Sequence, residues 1–116
     1  MGSVFTQIIN RELEADIVYE DEKCIVFKDI NPQAPVHVLI VPKKEIPSIA
    51  DVEPEDEELL GHLLVTARKV AELLGVADKG FRLVVNTNRD AGQSVYHLHI
   101  HLLAGKRMGW PPWPTY

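Results

Sequence analysis

HLHIHLLAG, residues 97–105, places His97, His99 and His101 at every second position, with Leu98, Ile100 and Leu102 between and after them. An extended strand has a side-chain period of two, so the three imidazoles are expected on one face and the three aliphatic side chains on the other. The chain has five histidines in 116 residues, and three of them fall within five positions. That clustering asks for a chemical reason. A metal site, an acid–base or nucleophilic site, and a purely structural polar face are the three on offer.

Outward from this stretch the elements follow from periodicity and punctuation. Residues 4–10, VFTQIIN, carry Val4, Phe5, Ile8 and Ile9 at helical spacing. DIVYE (16–20) and KCIVFKD (23–29) are short apolar runs separated by the polar turn Asp21-Glu22. NPQAP (31–35) is a loop set by two prolines, and VHVLIVP (36–42) is a strand apolar on both faces and ended by Pro42. The clearest helix runs from Pro54 to Gly75. Asp51 or Glu53 can open it, Pro54 suits its first turn, and Gly75 suits a left-handed terminator. Its stripe of Leu59, Leu60, Leu63, Leu64, Ala67, Val70, Ala71 and Leu74 must lie on a sheet or a partner helix; His62 beside it reads as a solvated or packed histidine.

FRLVVN (81–86) is a further strand, and TNRDAGQSVY (87–96) is a glycine-containing loop leading to the histidines. The order helix, strands, helix, strands, with hairpin-length links, predicts an α+β fold with a mainly antiparallel sheet. A covering helix belongs on the side of Leu98, Ile100 and Leu102, which leaves the histidine side for a ligand.

Length and composition fit one globular domain, 1–116, with 46% hydrophobic and 25% charged residues. The lone cysteine, Cys24, lies in the apolar run CIVF and reads as a buried hydrophobe. A net charge of −5 with scattered lysines and arginines offers no footprint for nucleic acid. No apolar stretch approaches the roughly 20 residues that span a bilayer, and no signal-peptide pattern opens the chain. MGSVFT fits the loose myristoylation pattern through Gly2 and Thr6, but no polybasic second signal follows it. The expectation is a soluble cytoplasmic protein without membrane or nucleic-acid partners.

Zinc could be chelated by alternate strand histidines, which stand about 7 Å apart along the backbone, with His37 as a further ligand. No cysteine pair, HExxH helix or nearby acidic cluster supports it, and the preceding loop supplies Asp90 alone as an acidic outer partner. A structural face would need three sets of buried hydrogen-bond partners. The catalytic reading gains from AGQSVYHLHIH. Gly92 permits close backbone approach, and Gln93, Ser94 and exposed amides can donate to an anion. Neutral imidazole is a competent nucleophile at cellular pH, and neighbouring rings can bind phosphoryl oxygens or move protons. Residue chemistry alone therefore leads to a histidine site for a phosphorylated small molecule.

YHLHIHLLAG resembles the signature of the histidine-triad (HIT) family. FKDINPQAPVHVLIVPKKEI, LLGHL, RLVVN, GQSVY and MGWPP resemble its Hint branch of purine nucleoside phosphoramidases. The resemblance runs from about Phe5 to Pro112. It implies a HIT-like five-stranded sheet per subunit with one long helix and one or more short ones. In a homodimer the two sheets would join into a continuous ten-stranded sheet, with the 54–75 helix and a central strand at the interface. It implies hydrolysis of adenosine or guanosine 5′-phosphoramidates to the nucleoside monophosphate through a covalent nucleotidyl-histidine on His99. His97 and His101 would hold phosphate oxygens and manage protons, and His37 would orient them. Ser94 would bond the departing amine or the phosphate, and Gly92, Gln93 and Asn86 would surround the phosphate. Asp29 would accept both ribose hydroxyls, while Phe5, Ile8, Phe27 and Ile30 would form the base pocket. Trp110, in a tail of about residues 109–116, would lie on the leaving-group side. No metal or cofactor would be required for catalysis. Diadenosine polyphosphate or nucleotidyl sulfate hydrolysis on the same site, and a non-enzymatic nucleotide-binding or scaffold role, are the alternatives. WPPWPTY runs past the branch's usual end at WPP, which leaves the role of Trp113–Tyr116 open.

Overall fold

The computed structural model describes residues 2–113; the last three tail residues, about which the sequence left the role open, lie outside them. Helix α1 (Val4–Ile9) precedes strands β1 (Ile17–Glu20), β2 (Cys24–Lys28) and β3 (Val36–Pro42). Helix α2 (Glu57–Leu73), strand β4 (Phe81–Val84) and strand β5 (Ile100–Ala104) complete the order. The five strands form one sheet in the order β1-β2-β3-β5-β4, with every neighbouring pair antiparallel. This is the α+β, five-stranded antiparallel architecture expected from the sequence.

β3 lies at the centre because both of its faces are apolar. Val38 and Ile40 point to one side, Leu39 and Val41 to the other, and all four are buried. α2 covers the first side. A turn of 3-10 helix at Pro54–Asp56 leads into it, and the Asp56 carboxylate accepts the Glu53 amide at 2.9 Å. Its stripe of Leu63, Ala67, Val70 and Ala71 is fully buried against Val26, Val38, Ile40, Leu98, Ile100 and Leu102. Each of the large aliphatics there contributes roughly 1.5–3 kcal/mol by leaving water. Past Leu73 the chain turns at Gly75, whose φ of 74° is the left-handed value glycine adopts without steric cost. Among the described residues no helix is long and apolar enough to cross a membrane.

Two expectations are corrected. The histidine side is not left wholly to a ligand, because α1 packs there. Phe5 and Ile8 join Ile25, Phe27, Leu39 and Val41 in a second buried cluster. The strand also starts later than the alternation suggested, at Ile100 rather than His97. The register Ile40↔Ile100 continues to set Leu98 opposite Pro42, which has no N–H to extend the ladder. Leu98 instead donates its amide to the Ile46 carbonyl at 2.7 Å. The alternation itself persists off the ladder: Leu98 is buried with Ile100 and Leu102 on the α2 side, and the histidines face the other way.

Candidate active site

Sheet register assembles the histidine face. On β5 His101 sits between Leu39 of β3 and Val84 of β4, and Leu103 sits between His37 and Arg82. Ring centroids are 5.0 Å apart for His99 and His101, and 5.2 Å apart for His37 and His101. Phe5 of α1 lies edge-on to His99 at 5.0 Å and to His97 at 6.0 Å. The rings therefore share one face, and α1 shields one flank of it.

Backbone groups decide which nitrogen of each ring carries the proton. His99 Nδ1 lies 2.8 Å from the His97 carbonyl oxygen. A carbonyl only accepts, so Nδ1 is the N–H and the neutral ring keeps a lone pair on Nε2. His37 Nδ1 accepts the amide of Gln33 at 3.0 Å, so its proton is on Nε2. That N–H faces His101 Nδ1 at 2.9 Å and the Asp29 carboxylate at 3.4 Å. His101 Nδ1 is then an acceptor, and its neutral ring presents Nε2–H outward. One ring offers a lone pair beside another that offers a donor.

Burial favours these neutral forms. It holds His37 and His99 below the ordinary histidine value, although Asp29 pulls both upward. Burial, reinforced by the charges His99 and His37 would carry, lowers His101 to about 4. Desolvation disfavours an imidazolium, and the Gln33 amide leaves no acceptor for a second proton on His37.

His97 is placed differently from the role implied for it. It is 1% exposed, its Nε2 donates to the Pro42 carbonyl at 2.8 Å, and its Nδ1 faces the Ser3 hydroxyl at 2.9 Å. Thr6 Oγ1 stands 3.3 Å from the same nitrogen. Both ring nitrogens are engaged, which anchors the ring, and the His97 backbone carbonyl faces His99 Nδ1. Gln93 is likewise committed to its loop. Its amide nitrogen donates to the carbonyls of Pro47 and Val95, and its oxygen accepts the Asn88 amide. Gly92, at φ 77°, supplies the turn before it.

Asp29 closes the β2 end of the site. Its Oδ1 accepts the Asn31 amide at 2.8 Å, which opens the proline loop, and its Oδ2 faces His37. Ser94 is exposed on the loop and Asn86 is half-buried just beyond β4; neither joins the hydrogen bonds that link the histidines among the described residues. Phe5, Ile8 and Phe27 are packed together, with Phe5 and Phe27 edge-to-face at 5.4 Å, whereas Ile30 stands apart at 97% exposed. Trp110 is exposed and lines a cleft of about 560 Å³ with Gln33, Arg82, Val84 and Leu103. Through the register of Val84 and Leu103, the floor of that cleft continues the histidine face.

Four contributors escaped the sequence reading: Ser3, Thr6, Gln33 and Pro42. Ser3 leaves a signal, the SxxT spacing of a helix cap, since its hydroxyl also accepts the Thr6 amide at 3.1 Å. Gln33 and Pro42 act through backbone atoms, which leave no side-chain signature.

Comparison with known proteins adds an independent line. The HIT domain family model matches residues 10–108. The purine nucleoside phosphoramidase of Escherichia coli (strain K12) is 50% identical over 107 residues, 92% of this chain and 90% of that protein. The crystal structure of a HIT family hydrolase from Legionella pneumophila superposes with a TM-score of 0.93 at 48% identity, covering 95% of this chain and 98% of that one. A HIT family hydrolase from Clostridium thermocellum superposes with a TM-score of 0.90 at 51% identity, covering 92% and 93% respectively.

Proposed function

The chain belongs to the HIT domain family and is a hydrolase, and from that premise we propose that it cleaves the phosphorus–nitrogen bond of purine nucleoside 5′-phosphoramidates. The observation that carries the reading is the pairing of a bare His99 Nε2 with an outward His101 Nε2–H, their rings 5.0 Å apart. The identity to a protein named for this activity supports it.

In this reading His99 Nε2 attacks phosphorus while His101 Nε2–H holds a non-bridging oxygen. The P–N bond breaks with its electron pair going to nitrogen, and the nitrogen takes up one proton and leaves as an amine. Ser94, exposed on the adjacent loop, is the candidate partner of that amine. The nucleotidylated His99 ring is cationic, and its Nδ1–H points at the His97 carbonyl, whose dipole favours that charge. Water then attacks phosphorus, His99 leaves with its lone pair restored, and the proton released balances the one taken up before. Asp29 accepts the ribose hydroxyls, and the base lies toward Phe27 and the exposed Ile30. The leaving amine lies toward the Trp110 cleft.

Catalysis in this scheme uses no metal, and a chelator leaves the rate unchanged. The working form is a cytoplasmic homodimer in which the open edges of β4 pair across a two-fold axis. Rapid quenching with radiolabelled adenosine 5′-phosphoramidate tests the chemistry. Label should appear on the wild-type protein and be absent from His99→Ala. A wild type that turns over without ever carrying label would exclude the covalent route.

A further inference from the structure

A second cluster of metal-binding groups lies on the opposite face of the sheet from the histidine triad. The Asp21 carboxylate sits in the β1–β2 turn, where its Oδ1 accepts the amides of Lys23 and Cys24 at 2.8 and 2.9 Å. Its Oδ2 faces His62 Nε2 at 2.7 Å and the Tyr19 hydroxyl at 3.0 Å. Cys24, the first residue of β2, points to the α2 side of the sheet, and its Sγ is 3.7 Å from Thr66 Oγ1. His62 and Thr66 are one turn apart on α2. One oxygen of Asp21, one nitrogen of His62 and the sulfur of Cys24 all lie within 4.8 Å of one another.

We propose that Asp21, Cys24 and His62 form a zinc-class metal site that ties the β1–β2 turn to α2. The donor set is one thiolate sulfur, one imidazole nitrogen and one carboxylate oxygen, the mixture a borderline-soft divalent ion takes. With metal–ligand bonds of about 2.0–2.3 Å, tetrahedral ligands stand roughly 3.3–3.6 Å apart. To bind the ion, the 2.7 Å Asp21–His62 contact must open and the contacts to sulfur, which lie within 4.8 Å, must close, changes made by side-chain rotation. Asp21 is already ionised: burial pushes its carboxyl upward, but the Lys23 and Cys24 amides, His62 and Tyr19 together hold it well below the usual range. The His62 and Asp21 side chains are 30% and 24% exposed, so an ion has a route from solvent, while fully buried Cys24 closes the inner side. Binding releases the thiol proton to solvent and moves the imidazole proton to Nδ1, leaving the fourth position to water or Tyr19. The sheet separates this site from His99, so the site is a structural fastener and the reaction proceeds without it.

Because Cys24 is the chain's one cysteine, a thiolate signal identifies the site without ambiguity. Metal-stripped protein is titrated with Co2+ and followed for the near-ultraviolet thiolate-to-cobalt band, then back-titrated with Zn2+. The expected result is one ion per chain with that band, retained in His99→Ala and absent from Cys24→Ser and His62→Gln. Zinc affinity should fall more than about 100-fold in His62→Gln, beyond what losing an outer-shell partner costs. Zinc should raise the melting temperature of the wild type and not of His62→Gln. His62 is partly exposed, so that variant carries the test even where Cys24→Ser does not fold. Saturating Co2+ without a thiolate band in the wild type, or unchanged zinc affinity in His62→Gln, overturns the proposal. So does binding that vanishes with His101→Ala and survives His62→Gln, which would put the ion on the other face.

Discussion

His99 Nδ1 lies 2.8 Å from the carbonyl oxygen of His97, two residues earlier in the same chain. In the proposed reaction this contact separates the nucleophile, His99, from the residue that holds it, His97. The carbonyl fixes the tautomer that leaves Nε2 of His99 bare. The His97 ring anchors that carbonyl by reaching to Pro42 on one side and Ser3 on the other. The three alternating imidazoles are not equivalent: both ring nitrogens of His97 are engaged, whereas His99 and His101 lie side by side with rings 5.0 Å apart, and the proposed reaction uses that pair.

Replacing His99 by alanine removes the proposed attacking atom while leaving the ring hydrogen bonds of His37, His97 and His101 in place. Hydrolysis of an adenosine phosphoramidate should fall by about 10³-fold or more, because losing a covalent nucleophile removes the pathway rather than tuning it. The far-ultraviolet circular dichroism should be unchanged. A variant that keeps more than a tenth of the wild-type rate would mean the nucleophile has been misassigned.

The depressed histidines set a pH dependence with a definite sign. The proposed reaction uses neutral His99, held below the usual value mainly by burial, so kcat/KM should stay level as pH falls through 6.5 and decline at lower pH. Stability follows linkage. His101 titrates near 4 in the folded chain and near 6.5 when unfolded, so between these values the unfolded state binds more protons. The contribution is present above pH 6.5 and is lost as pH falls toward 4; His37 and His99 act in the same direction. Denaturant unfolding from pH 7 to 4 checks the sign: a midpoint that rises on acidification within this window contradicts it.

The strands were legible where side-chain pattern and backbone agree. VHVLIVP is β3 over its whole length, and the 54–75 periodicity contains α2 and its 3-10 lead-in. What remained hidden depended on atoms every residue has or on distant partners. Nothing near residue 97 announces that Pro42, on another strand, ends the ladder. Gln33 governs His37 and His101 through a backbone amide, so its side chain carries no hint of the role. Gln93 shows the converse difficulty: an amide side chain beside glycine suits an anion, and the same donors suit the carbonyls of Pro47 and Val95. The six-residue α1 shows an apolar stripe, but the stripe does not say which face of the sheet it will cover. His62, read as solvated or packed, is half-buried, and its partner, Asp21, lies 41 positions away and so leaves no trace beside it in the sequence.

Ser3 and Thr6 should matter to a site they never touch directly. Both hydroxyls face His97 Nδ1, and Ser3 also caps α1. The double replacement Ser3→Ala with Thr6→Ala removes the cap and leaves a buried ring nitrogen without a donor, which should cost about 1–3 kcal/mol in urea unfolding. The rate should fall less than for His99→Ala, with kcat affected more than KM, because the His97 carbonyl shifts while the nucleoside contacts stay. Wild-type stability in the double variant would show that these hydroxyls do not hold the ring.

The proposed two-fold assembly can be tested on residues remote from the chemistry. β4 forms one edge of the sheet, and on α2 Leu64 and Val65 are 54% and 66% exposed. An isolated subunit gains nothing by presenting branched aliphatics or an open strand edge, whereas in the proposed dimer a second copy would cover both. In a monomer Val65→Asp replaces one exposed side chain by another and changes stability by less than about 0.5 kcal/mol. In a dimer the same change buries an unpaired carboxylate, and the subunits should separate at micromolar concentrations where the wild type stays paired. Sedimentation velocity on both proteins distinguishes the cases: a wild type that runs as a single chain, or a Val65→Asp protein that stays paired as tightly as the wild type, places the contact elsewhere or removes it.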